Sequence, residues 1–215
     1  MKALLFLALA CGACAPEPSR PFPAGVAGPL TPRLRAEVLR LGFDAAETPP
    51  EGAAVERAAD EEEHTLPAGR LRFVAARAAQ RGATGLFFLP PRLPEGADWA
   101  DYPEEWLAVV RVLRETRSLR PVLEGGRPVP VPFPAPDGVL SRAWSHRGRV
   151  YVLLVNAAAA PAPLDPDALK PWRALFEARS DPREALSPCG AAAAACLPAE
   201  GVLWLEGRLP PGAGN

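Results

Sequence analysis

Four consecutive apolar residues, Leu86 to Leu89 (LFFL), stand between the breaker Gly82 to Gly85 (GATG) and Pro90-Pro91. An apolar run without alternation predicts a strand buried on both faces, the pattern of a parallel sheet. Such a strand must be covered by layers on either side, so most of the chain around it is committed to packing. The segment ahead of it supplies one layer: Leu71, Val74, Ala75 and Ala78 form one stripe of a helix predicted from about Arg70 to Arg81. The segment after it supplies another. Asp101 and Glu104 have the spacing of a capping box, and Pro103 sits in the first turn. Trp106, Val109, Val110 and Leu113 form a stripe, and Pro121 marks the expected stop.

Upstream, Thr31 is a good N-cap with Pro32 behind it. Leu34, Val38 and Leu41 follow at helical spacing, and Gly42 ends the run. Phe43 to Ala46 reads as a short strand. Residues 47–69 read as a long acidic loop and residues 15–29 as a Pro-rich extended tether. Beyond Pro121 the pattern changes. Residues 139–145 and 150–156 flank His146 to Arg149 as a β-hairpin, with His146 exposed in its turn. Residues 172–178 and 202–206 read as further strands, and Trp144, Trp172 and Trp204 as sandwich core. The expected fold class is α+β: a partial βα segment over 30–121, followed by an antiparallel β-sandwich over 122–215.

The N-terminus reads as an export address covering residues 1–14. Lys2 precedes the apolar run Leu4 to Ala10, which is too short to span a bilayer. Cys11-Gly-Ala-Cys14 resembles a bacterial lipobox, implying a lipid on Cys11 or Cys14 and attachment to the cell envelope. Ordinary cleavage after Ala8-Leu9-Ala10, which would release a soluble extracellular form, stays open. In an oxidising compartment Cys189 and Cys196 are expected to form a disulfide. A zinc site would need two further ligands, and the chain has only His64 and His146, so no metal or cofactor is expected. With 24 basic against 25 acidic residues, the chain lacks the positive surplus that nucleic-acid binding requires.

Four stretches carry a family resemblance. Arg72 to Phe88 (RFVAARAAQRGATGLFF) resembles the run into the last barrel strand of TIM-barrel glycoside hydrolases, and Trp106 to Leu123 resembles their final helix. Ala143 to Asn156 (AWSHRGRVYVLLVN) and Leu197 to Leu205 (LPAEGVLWL) resemble the first hairpin and closing strand of their C-terminal β-sandwich. A full barrel takes about 250 residues, whereas about 110 stand ahead of this sandwich, room for two or three βα units. The resemblance therefore implies the end of such an enzyme, with residues 43–46 and 86–89 as the seventh and eighth strands.

Glycosidases use two carboxyl groups about 5–9.5 Å apart. The resemblance places Glu47 near one of them, with a solvated loop carboxylate as the alternative, and leaves the other without a counterpart. In the acidic loop, Glu61, Glu62 or Glu63 with His64 could form a proton-transfer pair, a binding site or a weak metal site, or be solvated. Trp99 and Tyr102 either stack on a sugar ring or dock against the helix they introduce. Two buried parallel strands leave faces that the β-domain, a second copy or a protein partner must cover. The resulting expectation is an exported, lipid-anchored protein that contacts carbohydrate without a complete active site. A working short hydrolase and an envelope interaction module are the alternatives.

Overall fold

The computed structural model describes residues 22–59, 66–92, 95, 97–177, 186–189 and 194–208. Strand β1 (Ala24–Ala27) leads through helix α1 (Pro32–Arg40) to β2 (Asp44–Ala46). A turn brings in β3 (Ala54–Arg57), and helix α2 (Ala68–Arg81) then leads to β4 (Leu86–Leu89). These four strands form one all-parallel sheet in the order β2-β1-β4-β3. The α1 punctuation is as expected: the Thr31 hydroxyl accepts the Leu34 N–H, Pro32 opens the first turn, and Gly42 takes a φ of 78° after the last. Gly82, at φ 85°, ends α2 in the same left-handed way.

Three expectations are corrected here. Residues 24–27, inside the predicted tether, are a fully buried central strand; β3 lies inside the predicted acidic loop. The third concerns neighbours. Consecutive barrel strands lie side by side, but β1 stands between β2 and β4, so the 43–46 and 86–89 segments do not pair. β4 itself is buried along Leu86 to Phe88, as a strand with partners on both sides should be. Leu86 and Phe88 join Val26, Leu34, Leu71, Val109 and Leu113 in the first core.

Helix α3 (Pro103–Gly125) runs 23 residues, straight through Pro121. An interior proline removes one helical hydrogen bond and costs about 3 kcal/mol. Burial of Leu119 and Val122 on either side of it offsets that cost. The capping box does not form, because Tyr102 occupies the cap position and Asp101 is turned to Asp98 and Arg33.

The chain then enters its antiparallel half: β5 (Arg127–Val129), β6 (Val139–His146), β7 (Arg149–Asn156), β8 (Ala162–Leu164), the short α4 (Pro166–Leu169) and β9 (Arg173–Leu175). After these come β10 (Ser187–Cys189), β11 (Ala194–Leu197) and β12 (Val202–Arg208). Five strands form one sheet, β5-β6-β7-β12-β9, and three form another, β10-β11-β8. Cys189 and Cys196 are disulfide-bonded across the β10–β11 pair. The β6–β7 turn places Arg147 (φ 50°) and Gly148 (φ 74°) both in the left-handed region, as a type I′ hairpin requires.

Val152, Leu154, Leu203 and Leu205 face Leu164 and Leu197 of the smaller sheet. Leu153, Val155, Trp144 and Trp204 face the other way, onto Phe73, Ala76 and Ala79 of α2 and Leu119 and Val122 of α3. The molecule is therefore layered: parallel sheet, helices, five-stranded sheet, three-stranded sheet. Trp172 does lie between the two antiparallel sheets, but Trp144 and Trp204 belong to the helix-facing core. β7 and β12 read as continuous apolar runs because both of their faces are covered.

Candidate functional site

In parallel α/β sheets the crevice outside the strand C-termini is the default ligand site. Glu47 stands there, one residue past β2, with its side chain 81% exposed and 3.2 Å from Arg35 of α1. The loop after β4 reaches the same face. Asp98, 6% exposed, accepts the Thr31 hydroxyl on Oδ2, and its own N–H donates to Asp101 Oδ2 at 2.9 Å. Asp101 also pairs with Arg33 at 2.6 Å. The Asp98 N–H, and after it Arg33, hold the Asp101 carboxyl below the usual carboxylate range.

These residues form a clasp. Two acidic side chains of the loop bind the first turn of α1, where a negative charge is also favoured by the helix end. Trp99 is fully buried, with its ring centroid 5.4 Å from that of Trp106, so it docks against the helix it introduces and offers no platform to a sugar. Tyr102 is half-buried, and its backbone is engaged with Trp99 and Trp106. Glu62 and His64 lie outside the described residues. Among the described residues, no group of three potential metal ligands converges.

A second polar cluster ties the halves together. Arg72 of α2 meets Glu115 of α3 at 2.9 Å and Glu177, beyond β9, at 2.7 Å; nearby, Arg70 pairs with Glu200. Burial pushes the Glu115 carboxyl above its ordinary range, against the pull of Arg72. The proximity of Arg72 and the direction of that shift oppose each other, and burial prevails because the pair sits at the helix–sheet seam.

The third place was not anticipated. A groove of about 430 Å³ opens between the C-terminal half of α3 and the end of the five-stranded sheet. Glu206, 8% exposed, accepts the Tyr151 hydroxyl at 3.1 Å and pairs with Arg149 at 3.1 Å and Arg173 at 2.9 Å. His146, expected in the turn, is the last residue of β6 and half-buried; its Nε2 is buried with no hydrogen-bond partner among the described residues. Burial first, then the Glu206 charge, pushes the Tyr151 phenol above its ordinary value. Register was the available signal. Glu206 lies opposite Tyr151 just as Trp204 lies opposite Leu153, so one face passes from apolar to polar along the strands.

No family model and no curated protein matches the chain. It resembles, in part, solved structures of glycoside hydrolase type. Against Eubacterium rectale Amy13B the TM-score is 0.45 at 16% identity, covering 71% of this chain and 36% of that one. A GH30 endoxylanase from Clostridium papyrosolvens gives 0.38 at 11%, covering 82% and 45%. Alpha-L-fucosidase isoenzyme 1 from Paenibacillus thiaminolyticus gives 0.37 at 13%, covering 87% and 44%. The chain thus spans less than half the length of each of these three.

Proposed function

We propose that the chain is an exported protein, lipid-anchored through Cys11 or Cys14, that contacts carbohydrate without hydrolysing it. The carbohydrate part is supported by the sequence resemblance of residues 70–206 to the C-terminal portion of TIM-barrel glycoside hydrolases, and the export part by the N-terminal pattern.

One observation carries the non-hydrolytic part: among the described residues at the strand C-terminal face, Glu47, Asp98 and Asp101 are already engaged. Glu47 pairs with Arg35, Asp101 with Arg33, and Asp98 with Thr31. Glycoside hydrolysis needs one carboxyl able to give up a proton and a second across the scissile bond. Asp101, held ionised, is no donor at neutral pH.

The test uses the purified full chain on a glycan panel, with turnover and binding measured separately. Saturable binding without release of sugar, equal in wild type and Glu47→Gln, is expected. Turnover that disappears in Glu47→Gln would overturn the reading in favour of a working hydrolase. For the anchor, fatty-acid labelling in a bacterial host should be lost on substituting one of Cys11 and Cys14 by Ala and kept on substituting the other. An unlabelled wild type would remove the anchor from the proposal.

A further inference from the structure

We infer that the groove between α3 and the five-stranded sheet is the saccharide site, and that its ligand carries a carboxylate, as a uronic acid does. The inference rests on the carbohydrate reading above and gives it a place and a ligand class. Among the described residues, Arg147, Arg149 and Arg173 border the groove against one carboxylate, Glu206, a surplus of positive charge. Glu206 is buried and fixed by Tyr151, so it acts as the anchor that holds Arg149 and Arg173 in place. Those two side chains are 51% and 61% exposed, and each guanidinium carries more N–H donors than its contact with Glu206 consumes. A planar fork of donors matches a carboxylate in two-point contact.

The remaining wall is apolar. Leu119, Leu175 and Phe176 line it beside the Tyr151 ring, a surface suited to the C–H face of a sugar. A bare inorganic anion has no use for that wall, and a neutral sugar has none for the guanidinium surplus. The buried, unpartnered Nε2 of His146 adds a polar atom of the kind that a bound ligand or water satisfies. The groove volume, about 430 Å³, lies within the 300–1,000 Å³ usual for small-ligand sites.

The experiment is calorimetric titration of the full chain with digalacturonate, with neutral digalactose and with inorganic sulfate. Digalacturonate should bind saturably and about tenfold or more tighter than either comparator, the scale of one charge-assisted contact. Arg147→Asn is the decisive variant, since Asn suits the left-handed turn position and leaves the fold intact. It should weaken digalacturonate about tenfold with unchanged thermal unfolding, as should Arg173→Gln. Equal binding of the neutral disaccharide overturns the ligand class while sparing the carbohydrate reading. Sulfate binding as tight as digalacturonate reduces the groove to a simple anion site and overturns the inference. Tight digalacturonate binding untouched by both variants puts the site elsewhere and overturns it as well. Failure of both disaccharides overturns the inference, and the glycan panel then decides the carbohydrate reading.

Discussion

Trp144 stacks on Trp204 with ring centroids 5.6 Å apart and planes 25° from parallel, on the face of the five-stranded sheet that meets α2 and α3. The pair is the seam between the two halves of the molecule. Trp204→Ala should cost about 3–5 kcal/mol, the range for emptying a buried tryptophan site. It should also weaken the parallel half, because the helices lose their floor. Urea unfolding followed by near-ultraviolet dichroism reads both effects. A loss under about 1 kcal/mol would mean that the two halves are energetically separate.

Thr31 serves two partners, accepting from the Leu34 N–H and donating to Asp98. Thr31→Ala removes a helix cap worth about 1 kcal/mol and strips a buried carboxylate of a donor, a further 1–3 kcal/mol. Thr31→Ser should recover most of the loss in equilibrium denaturation. A Ser variant as weak as the Ala variant would show that the methyl group, not the hydroxyl, matters.

Gly25 in β1 lies so close to β2 that a Cβ would run into the backbone carbonyl of Asp44. Backbone cannot step aside as a flexible side chain can. Gly25→Ala should therefore destabilise by about 3 kcal/mol. Gly69, where a Cβ meets nothing, is the control and should accept Ala with little change. Similar unfolding midpoints for the two variants would contradict the β1–β2 contact.

Glu115 predicts a pH dependence. Its carboxyl is raised in the folded state, chiefly by burial, so the folded protein holds this proton more tightly than the unfolded chain does. As pH rises through the ordinary carboxyl value of 4.5, the unfolded chain loses the proton first, and ionisation then opposes folding. Glu115→Gln removes that opposition while Glu177 still holds Arg72. The stability of the variant relative to wild type should rise as pH climbs past 4.5. A flat or falling difference would place Glu115 as a net stabilising partner of Arg72.

Local chemistry was legible along the chain. Thr31-Pro32 with Leu34 and Val38 spells a capped helix, and α1 forms there; Gly82 ends α2 where a left-handed residue was needed. The apolar run 86–89 called for partners on both sides and has them. The hairpin turn at Arg147-Gly148 and the Cys189–Cys196 pair follow from spacing over a few residues. At the candidate site, the place of Glu47 just past a strand is readable from residues 43–46, whereas its pairing with Arg35 of α1 is not.

What the amino-acid order determined alone was whatever depends on neighbours within a turn or two: caps, breaks, periodicity and the short disulfide loop. Tertiary structure decided the rest. Ala24 to Ala27 became a central strand because β2 and β4 complete its hydrogen bonds, and nothing within the Pro-rich stretch announces those partners. Which face of β6, β7 and β12 looks at helices, and hence where Trp144, Trp204 and Glu206 meet their neighbours, was settled by layers folded from opposite ends of the chain. Alternation shows that a strand has two sides; only the long-range packing says what lies against each.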